Sequence, residues 1–380
     1  MRLGGHRGAV RRGASRASAA ALFALGGCGS GSEEGAATTQ PPDAVIEWSG
    51  EIGLAETEQA LSVLPRVRLD PAGGFLVADE REAQLRRYAP DGALAWHFGR
   101  RGKGPGEFEA PVAVARMPDG AILAADRHGR LTFLDPAGKI LRGTVETGVR
   151  RVEDLLVLDD STVLLSGVLE GSAADPRLHR WNLVSDTLLG GFFAPVANAA
   201  NPAIAAVAGW TRVARRGDTL VATFAASDTL YFLTLEGEPL RQVPLPSRHF
   251  RRGPPAAPDR VLTRPEEHAA FLSRVDLVEG VFWLADGTLL VPYQSPVSGT
   301  ERRRHLLHLT AGGDLLAETR DGPRLLAVEP DSRTLYFVHP EALAPNRLRL
   351  GRLRRRASSG RGRAAPRGLR KRLPPSVAPP

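Results

Sequence analysis

The sequence predicts an all-β protein, a six-bladed β-propeller with four-stranded antiparallel blades, and three observations predict it. From residue 46 onward there is almost no 3.6-residue apolar period. Short runs of β-branched and aliphatic residues alternate with turn dipeptides instead. The segment Pro71-Ala72-Gly73-Gly74-Phe75-Leu76-Val77-Ala78-Asp79 recurs 47 residues later as Pro118-Asp119-Gly120-Ala121-Ile122-Leu123-Ala124-Ala125-Asp126. Weaker copies follow, so that Leu76, Leu123, Leu164, Leu220, Leu290 and Leu335 mark six units at spacings of 47, 41, 56, 70 and 45 residues. A four-stranded blade takes about 40–50 residues, and the two wide gaps hold insertions.

The chain opens on an address. Residues 1–27 carry five arginines (Arg2, Arg7, Arg11, Arg12, Arg16), no acid, and the apolar run Ala17–Leu25. That run is far shorter than the ~20 residues that span a bilayer, and its layout is that of a secretory signal peptide. Leu25-Gly26-Gly27-Cys28 follows. It resembles the bacterial lipobox, in which an aliphatic residue and two small residues precede the cysteine that takes the lipid. Small residues let the backbone enter a peptidase cleft, and the thiol is the nucleophile. The resemblance implies a lipid on Cys28, attachment to a membrane, and a place in the bacterial cell envelope on its periplasmic or cell-surface side. Cys28 is the only cysteine, so intramolecular disulfides and sites of several thiolates are excluded. Residues 28–43 are polar and rich in Gly, Ser and Ala, as expected of a flexible tether.

The propeller is expected over residues 44–356. Ala44-Val45-Ile46-Glu47-Trp48 precedes the first repeat, and counting strands assigns it to the last blade, beside Arg347–Leu353. That pairing would close the ring, which otherwise keeps two open sheet edges. The two clearest units continue alike: Leu85-Arg86-Arg87-Tyr88 runs into the turn Pro90-Asp91-Gly92, and Leu131-Thr132-Phe133-Leu134 into Asp135-Pro136-Ala137-Gly138. Between them lies Phe98-Gly99-Arg100-Arg101-Gly102-Lys103-Gly104-Pro105-Gly106-Glu107-Phe108, followed by the strand-like Pro111–Ala115. Over residues 66–140 this pattern resembles the NHL repeat, whose glycine-rich connection crosses from the outer strand of one blade to the inner strand of the next. The resemblance extends to six-bladed propeller lipoproteins of bacterial envelopes. Of the two insertions, Ala194–Gly209 is rich in Ala and Asn. Pro244–Arg274 is Pro-rich and then helical in pattern over Pro265–Leu272.

The net charge of +8 hides a segregation. Residues 347–380 carry twelve Arg or Lys and no acid, which leaves residues 28–346 at −9. The run Arg352–Arg372 cannot bury apolar area and is expected to be disordered, with the tail proper at 357–380. Its charge suits anionic lipid headgroups, lipopolysaccharide or nucleic acid without sequence preference. No aromatics are interleaved for stacking bases, which argues against specific nucleic-acid recognition.

Candidate sites are few. Gly99–Gly106 lacks the GK[ST] ending of a phosphate loop and precedes a strand rather than a helix, so it is read as a blade crossover with Phe108 packed between blades. Arg100, Arg101 and Lys103 project from it as a candidate basic rim for an acidic ligand. Asp79 and Asp126 recur at one repeat position, and side-chain hydrogen bonding to the following turn is the expectation, with metal ligation as the alternative. The five tryptophans are assigned to packing between blades. Some NHL-like propellers are enzymes that hold zinc with several histidines, or another divalent cation with Glu, Asn and Asp, in the central channel. Here the eight histidines from His97 to His339 share no blade position, and Asn is scarce. No catalytic residue, metal ligand or cofactor is therefore assigned. The expected function is a monomeric binding scaffold that takes a protein, peptide or glycan at the channel mouth. The alternative is a hydrolase or lyase using calcium or zinc in the channel.

Overall fold

The computed structural model describes residues 44–355, apart from 57, 59, 63–65, 170–174, 195–209, 248, 251–264, 299–300, 330, 332 and 340–345. The expected signal peptide, Cys28, the expected tether and the expected tail at 357–380 lie outside the described residues. So do all but the first residue of the Ala194–Gly209 insertion and most of the Pro-rich part of the second insertion.

Six sheets of antiparallel strands form six blades. From inner to outer strand, blade I is Arg66–Leu69, Phe75–Asp79, Gln84–Tyr88 and Leu94–Phe98. Blade II is Pro111–Arg116, Ile122–Asp126, Arg130–Leu134 and Ile140–Glu146. Blade III is Arg150–Val157, Thr162–Val168, Leu178–Asn182 and Thr187–Phe192. Blade IV is Thr211–Arg216, Thr219–Phe224, Thr229–Thr234 and Pro239–Pro244. Blade V has a split inner strand, Leu277–Val278 and Phe282–Trp283, followed by Leu289–Ser298, Glu301–Leu309 and Leu315–Arg320. Blade VI is Leu325–Val328, Leu335–Val338, Arg347–Arg355 and, outermost, Ala44–Gly53. All six repeat leucines fall in second strands and are fully or almost fully buried. The second insertion contains the helix Pro265–Leu272, whose Phe271 packs near Ala225, Val275 and Leu277.

The ring closes where strand counting places the closure. Ala44–Gly53 pairs antiparallel with Arg347–Arg355 at nine positions, from Ala44 with Arg355 to Gly53 with Arg347. The basic run expected to be disordered from Arg352 instead begins inside this strand. Its residues Arg352–Arg355 pair with Ala44–Glu47 on one side, continuing the strand from Leu348–Gly351, which pairs on both. Arg354 Nε lies 2.7 Å from Glu47 Oε2, and the Arg349 guanidinium lies 4.0 Å from the centre of the Trp48 ring. Alternating leucines gave the strand an apolar component that arginine-dominated composition concealed: Leu348 is fully buried.

The core is a set of clusters, one between each pair of neighbouring blades. Blade II shows why. Along Ile122–Asp126, Ile122 and Ala124 pack toward blade I, while Leu123 and Ala125 pack toward blade III. Successive side chains of a strand leave on opposite faces, and both faces of a blade are covered. Second strands therefore read as unbroken apolar runs with no alternation. Outer strands have one edge in water and read differently; Thr187–Phe192 and Pro239–Pro244 are mostly exposed, with Pro and Gly blunting their edges.

The glycine-rich segment is the crossover from blade I to blade II. It adds a short parallel pairing of Arg100–Arg101 with Glu107–Phe108 that the sequence did not indicate. Gly99 has φ +100°, and a Cβ there would lie 2.6 Å from the Phe108 ring, so glycine is required on both counts. Phe108 is buried between the two blades, edge-on to Phe98 with ring centres 6.0 Å apart.

Candidate functional site

The inner strands surround a channel, and its charged lining is the most unusual chemistry in the described residues. Residues from all six blades line it: Arg66 and Arg68 (I), Val112–Val114 (II), Glu153 and Asp154 (III), Arg212 (IV), Glu279 (V) and Arg324 (VI). The narrow part has a volume of about 80 Å³. It opens into a mouth of about 310 Å³, to which Arg127, Trp210, Gln294 and Arg304 are added.

Local backbone features deliver these groups. Arg66 and Arg68 are two residues apart on a strand and so share a face. Glu153 and Asp154 are adjacent, yet both line the channel. A register shift between Arg150 and Asp154, with Arg151 at φ +51°, breaks the alternation there. In blade V the inner strand is interrupted opposite Pro292, which has no N–H to donate. Val278 pairs with Tyr293 and Phe282 with Leu290, and between them Glu279 is released toward the channel.

The charges do not balance. Five guanidinium groups and two carboxylates line the mouth. Arg127 is engaged outside it by Glu80 at 2.6 Å, and Arg304 Nε is 3.2 Å from Glu279 Oε1. Arg68 pairs with Asp154. Arg212 faces Glu153 at 3.6 Å, too far for a hydrogen bond. Among the described residues, no carboxylate pairs with Arg66 or Arg324. Buried atoms without hydrogen-bond partners cluster here: Glu153 Oε2, Arg212 Nε, Glu279 Oε2 and Arg324 Nη1. Burial, reinforced by Arg212 and Arg324, lowers the Arg66 guanidinium to about 10. Burial likewise lowers Arg324.

Glu153 is buried, and this desolvation raises its carboxyl to about 7, against the opposing pull of Arg212, Arg66 and Arg127 and with a smaller push from Asp154. The folded chain then holds this proton more tightly than the unfolded chain. Stability should fall as pH rises from about 4.5 to about 7 and level off above. Glu153→Gln removes the penalty. It is expected to be more stable than the parent by about 3 kcal/mol at pH 8, and equal to it near pH 4.5, in denaturant titrations at the two pH values. A variant destabilised at pH 8 would show that Glu153 works as a paired carboxylate.

The residues singled out from sequence lie elsewhere. Arg100 bonds Glu107 at 2.9 Å, Lys103 lies 3.3 Å from Glu109, and Arg101 donates to the carbonyls of Glu109 and Arg81. These cations are exposed and tied to the crossover and its surroundings, and none lines the channel cavities. Asp126 accepts from the backbone N–H groups of Glu109, Ala110 and His128 at 2.8, 2.8 and 3.0 Å. Its repeat partner Asp79 accepts from Ser62 and Glu82. Both aspartates thus bond the turn that follows them and also the chain approaching their blade. Of the tryptophans, Trp181 lies in the core between blades II and III, and Trp283 packs edge-on to Phe232 of blade IV. Trp96 donates to Pro136 O of blade II, whereas Trp210 lines the mouth and is 37% exposed. No group of three or more His, Cys, Asp and Glu side chains gathers as a metal site among the described residues.

The channel charges carried one legible signal. A charged residue stands at or near the start of the inner strands at Arg66, Arg212 and Arg324, where apolar residues would otherwise be expected. Without the ring, nothing indicated that these positions converge.

No family model matches the chain, and no curated protein does. Solved structures share its fold. A member of the DUF4221 family from Bacteroides vulgatus superposes with a TM-score of 0.59 at 12% identity, over 83% of this chain and 100% of that one. A candidate exported protein of Bacteroides fragilis does so with a TM-score of 0.55 at 13% identity, over 84% and 98%. BamB from Moraxella catarrhalis is a looser likeness, with a TM-score of 0.41 at 13% identity over 81% and 98%.

Proposed function

We propose that this chain is an exported lipoprotein of a bacterial envelope, attached to a membrane through lipid on Cys28. Its propeller, NHL-like in the first two blades, is a non-catalytic, monomeric scaffold that binds a protein, peptide or glycan at the channel mouth. The mouth carries the binding reading: six blades converge on one cavity whose buried polar atoms lack partners. Buried polar groups in folded proteins are almost always satisfied, so a set left open at a cavity is explained by what enters it. Propellers place such a site on a scaffold whose loops converge from every blade. The exposed Arg100, Arg101 and Lys103 would extend the contact for an acidic partner. The envelope reading rests on the signal segment and the lipobox-like Leu25-Gly26-Gly27-Cys28, and the description of the Bacteroides fragilis propeller agrees with it.

Membrane fractionation with metabolic labelling by an alkyne fatty acid tests the anchor. The parent chain is expected in the membrane fraction with label, and Cys28→Ala in the soluble exported fraction without it. Label and membrane association retained by Cys28→Ala would overturn the reading.

A further inference from the structure

We propose that the channel mouth is a receptor for one oxyanion, a carboxylate or phosphate carried on a small sugar-sized ligand, gripped by the guanidinium groups of Arg66, Arg212 and Arg324. This rests on the reading of the mouth as the binding site and names the chemistry that fills it.

Three inner strands from blades I, IV and VI bring these arginines to one cavity. Arg66 and Arg324 have no ion-pair partner among the described residues, and Arg324 Nη1 and Arg212 Nε are buried without acceptors. Gathering like charges in a confined space is unfavourable unless a counter-charge joins them. The guanidinium fork suits planar carboxylate or tetrahedral phosphate oxygens, which it meets with paired, charge-assisted hydrogen bonds. Glu153 supplies the nearest internal counter-charge, but its geometry to Arg212 is loose and its carboxyl is half protonated near neutrality.

The cavity also sets size. At about 310 Å³ the mouth sits at the small end of ligand pockets, which run from roughly 300 to 1,000 Å³. The part beneath it is smaller, about 80 Å³. Trp210, partly exposed at the mouth, offers an aromatic surface on which the body of such a ligand can rest. An oxyanion seated below a sugar-sized body satisfies both parts of the site.

The test uses the purified full chain and measures calorimetric binding and melting temperature with glucuronate, glucose 6-phosphate and glucose, at matched ionic strength. Saturable binding of glucuronate or glucose 6-phosphate with a rise in melting temperature is expected, and none with glucose. Whichever anion binds more tightly identifies the oxyanion. Arg66→Gln and Arg324→Gln should each weaken it by 10–100-fold, the usual worth of a charge-assisted hydrogen bond. The double variant should melt at or above the parent without ligand, because an uncompensated repulsion is gone, yet gain nothing from the anion. Equal binding of glucose, or anion affinity unchanged in the double variant, would overturn the oxyanion assignment while leaving a scaffold that binds at its mouth. Failure of all three ligands would overturn the assignment as well. Failure of the anchoring reading is read separately, from Cys28→Ala.

Discussion

A chain begun at residue 54 instead of residue 44 should lose on the order of 5 kcal/mol of stability, a large share of the 5–15 kcal/mol that holds an ordinary domain. Ala44–Gly53 is the outermost strand of blade VI and the only part of that blade from the other end of the sequence. Removing it strips nine paired positions from Arg347–Arg355 and leaves that arginine-rich strand as an open edge. It also uncovers Phe337, now 1% exposed beneath the edge-on ring of Trp48 at 5.4 Å. Denaturant midpoints and light scattering check the result: an earlier transition and concentration-dependent association are expected. Gly351→Val tests the same closure without shortening the chain. A Cβ at Gly351 would lie 2.6 Å from Ile46 Cγ2 and 3.1 Å from the Glu47 carbonyl oxygen, so the closing strand must move away. If both variants unfold with the parent, closure by this strand contributes little.

Asp126→Ala should cost about 3–5 kcal/mol, because three backbone N–H groups lose a fully buried carboxylate acceptor at once. Two of them belong to Glu109 and Ala110, at the end of the crossover from blade I, and the third belongs to His128 in the turn after the second strand. The carboxylate therefore fixes the seam between neighbouring blades, which local turn chemistry alone would not do. Asp126→Asn keeps one good acceptor oxygen and should lose roughly half as much, by denaturant titration. Millimolar calcium should leave the parent's midpoint unchanged. A calcium-dependent rise that disappears in the alanine variant would mark Asp126 as a metal carboxylate instead.

The aspartates were legible as turn binders because an Asx side chain reaches backbone only a few residues away. Their second partners, 16 and 17 residues back in sequence, were not, since those depend on where the crossover lies. Arg100, Arg101 and Lys103 were legible as exposed cations, but their partners within the fold were not. Charge on a glycine-rich loop reads as display, yet Glu107 and Glu109 lie close enough in the folded crossover to engage the cations. The run from Arg352 misled through composition, because its first residues continue the strand begun at Arg347 and pair with Ala44–Glu47 from the other end of the chain.

Repeat spacing, turn residues and unbroken apolar second strands were sufficient to determine six blades and the partner of Ala44–Gly53, because a blade is a local object whose strands follow one another in the chain. The channel was not determined that way. Arg66, Glu153, Arg212, Glu279 and Arg324 stand far apart in sequence and look like ordinary polar strand positions one at a time. Only closure of the ring brings them within reach of one another and away from water, and only there do their charges become a site.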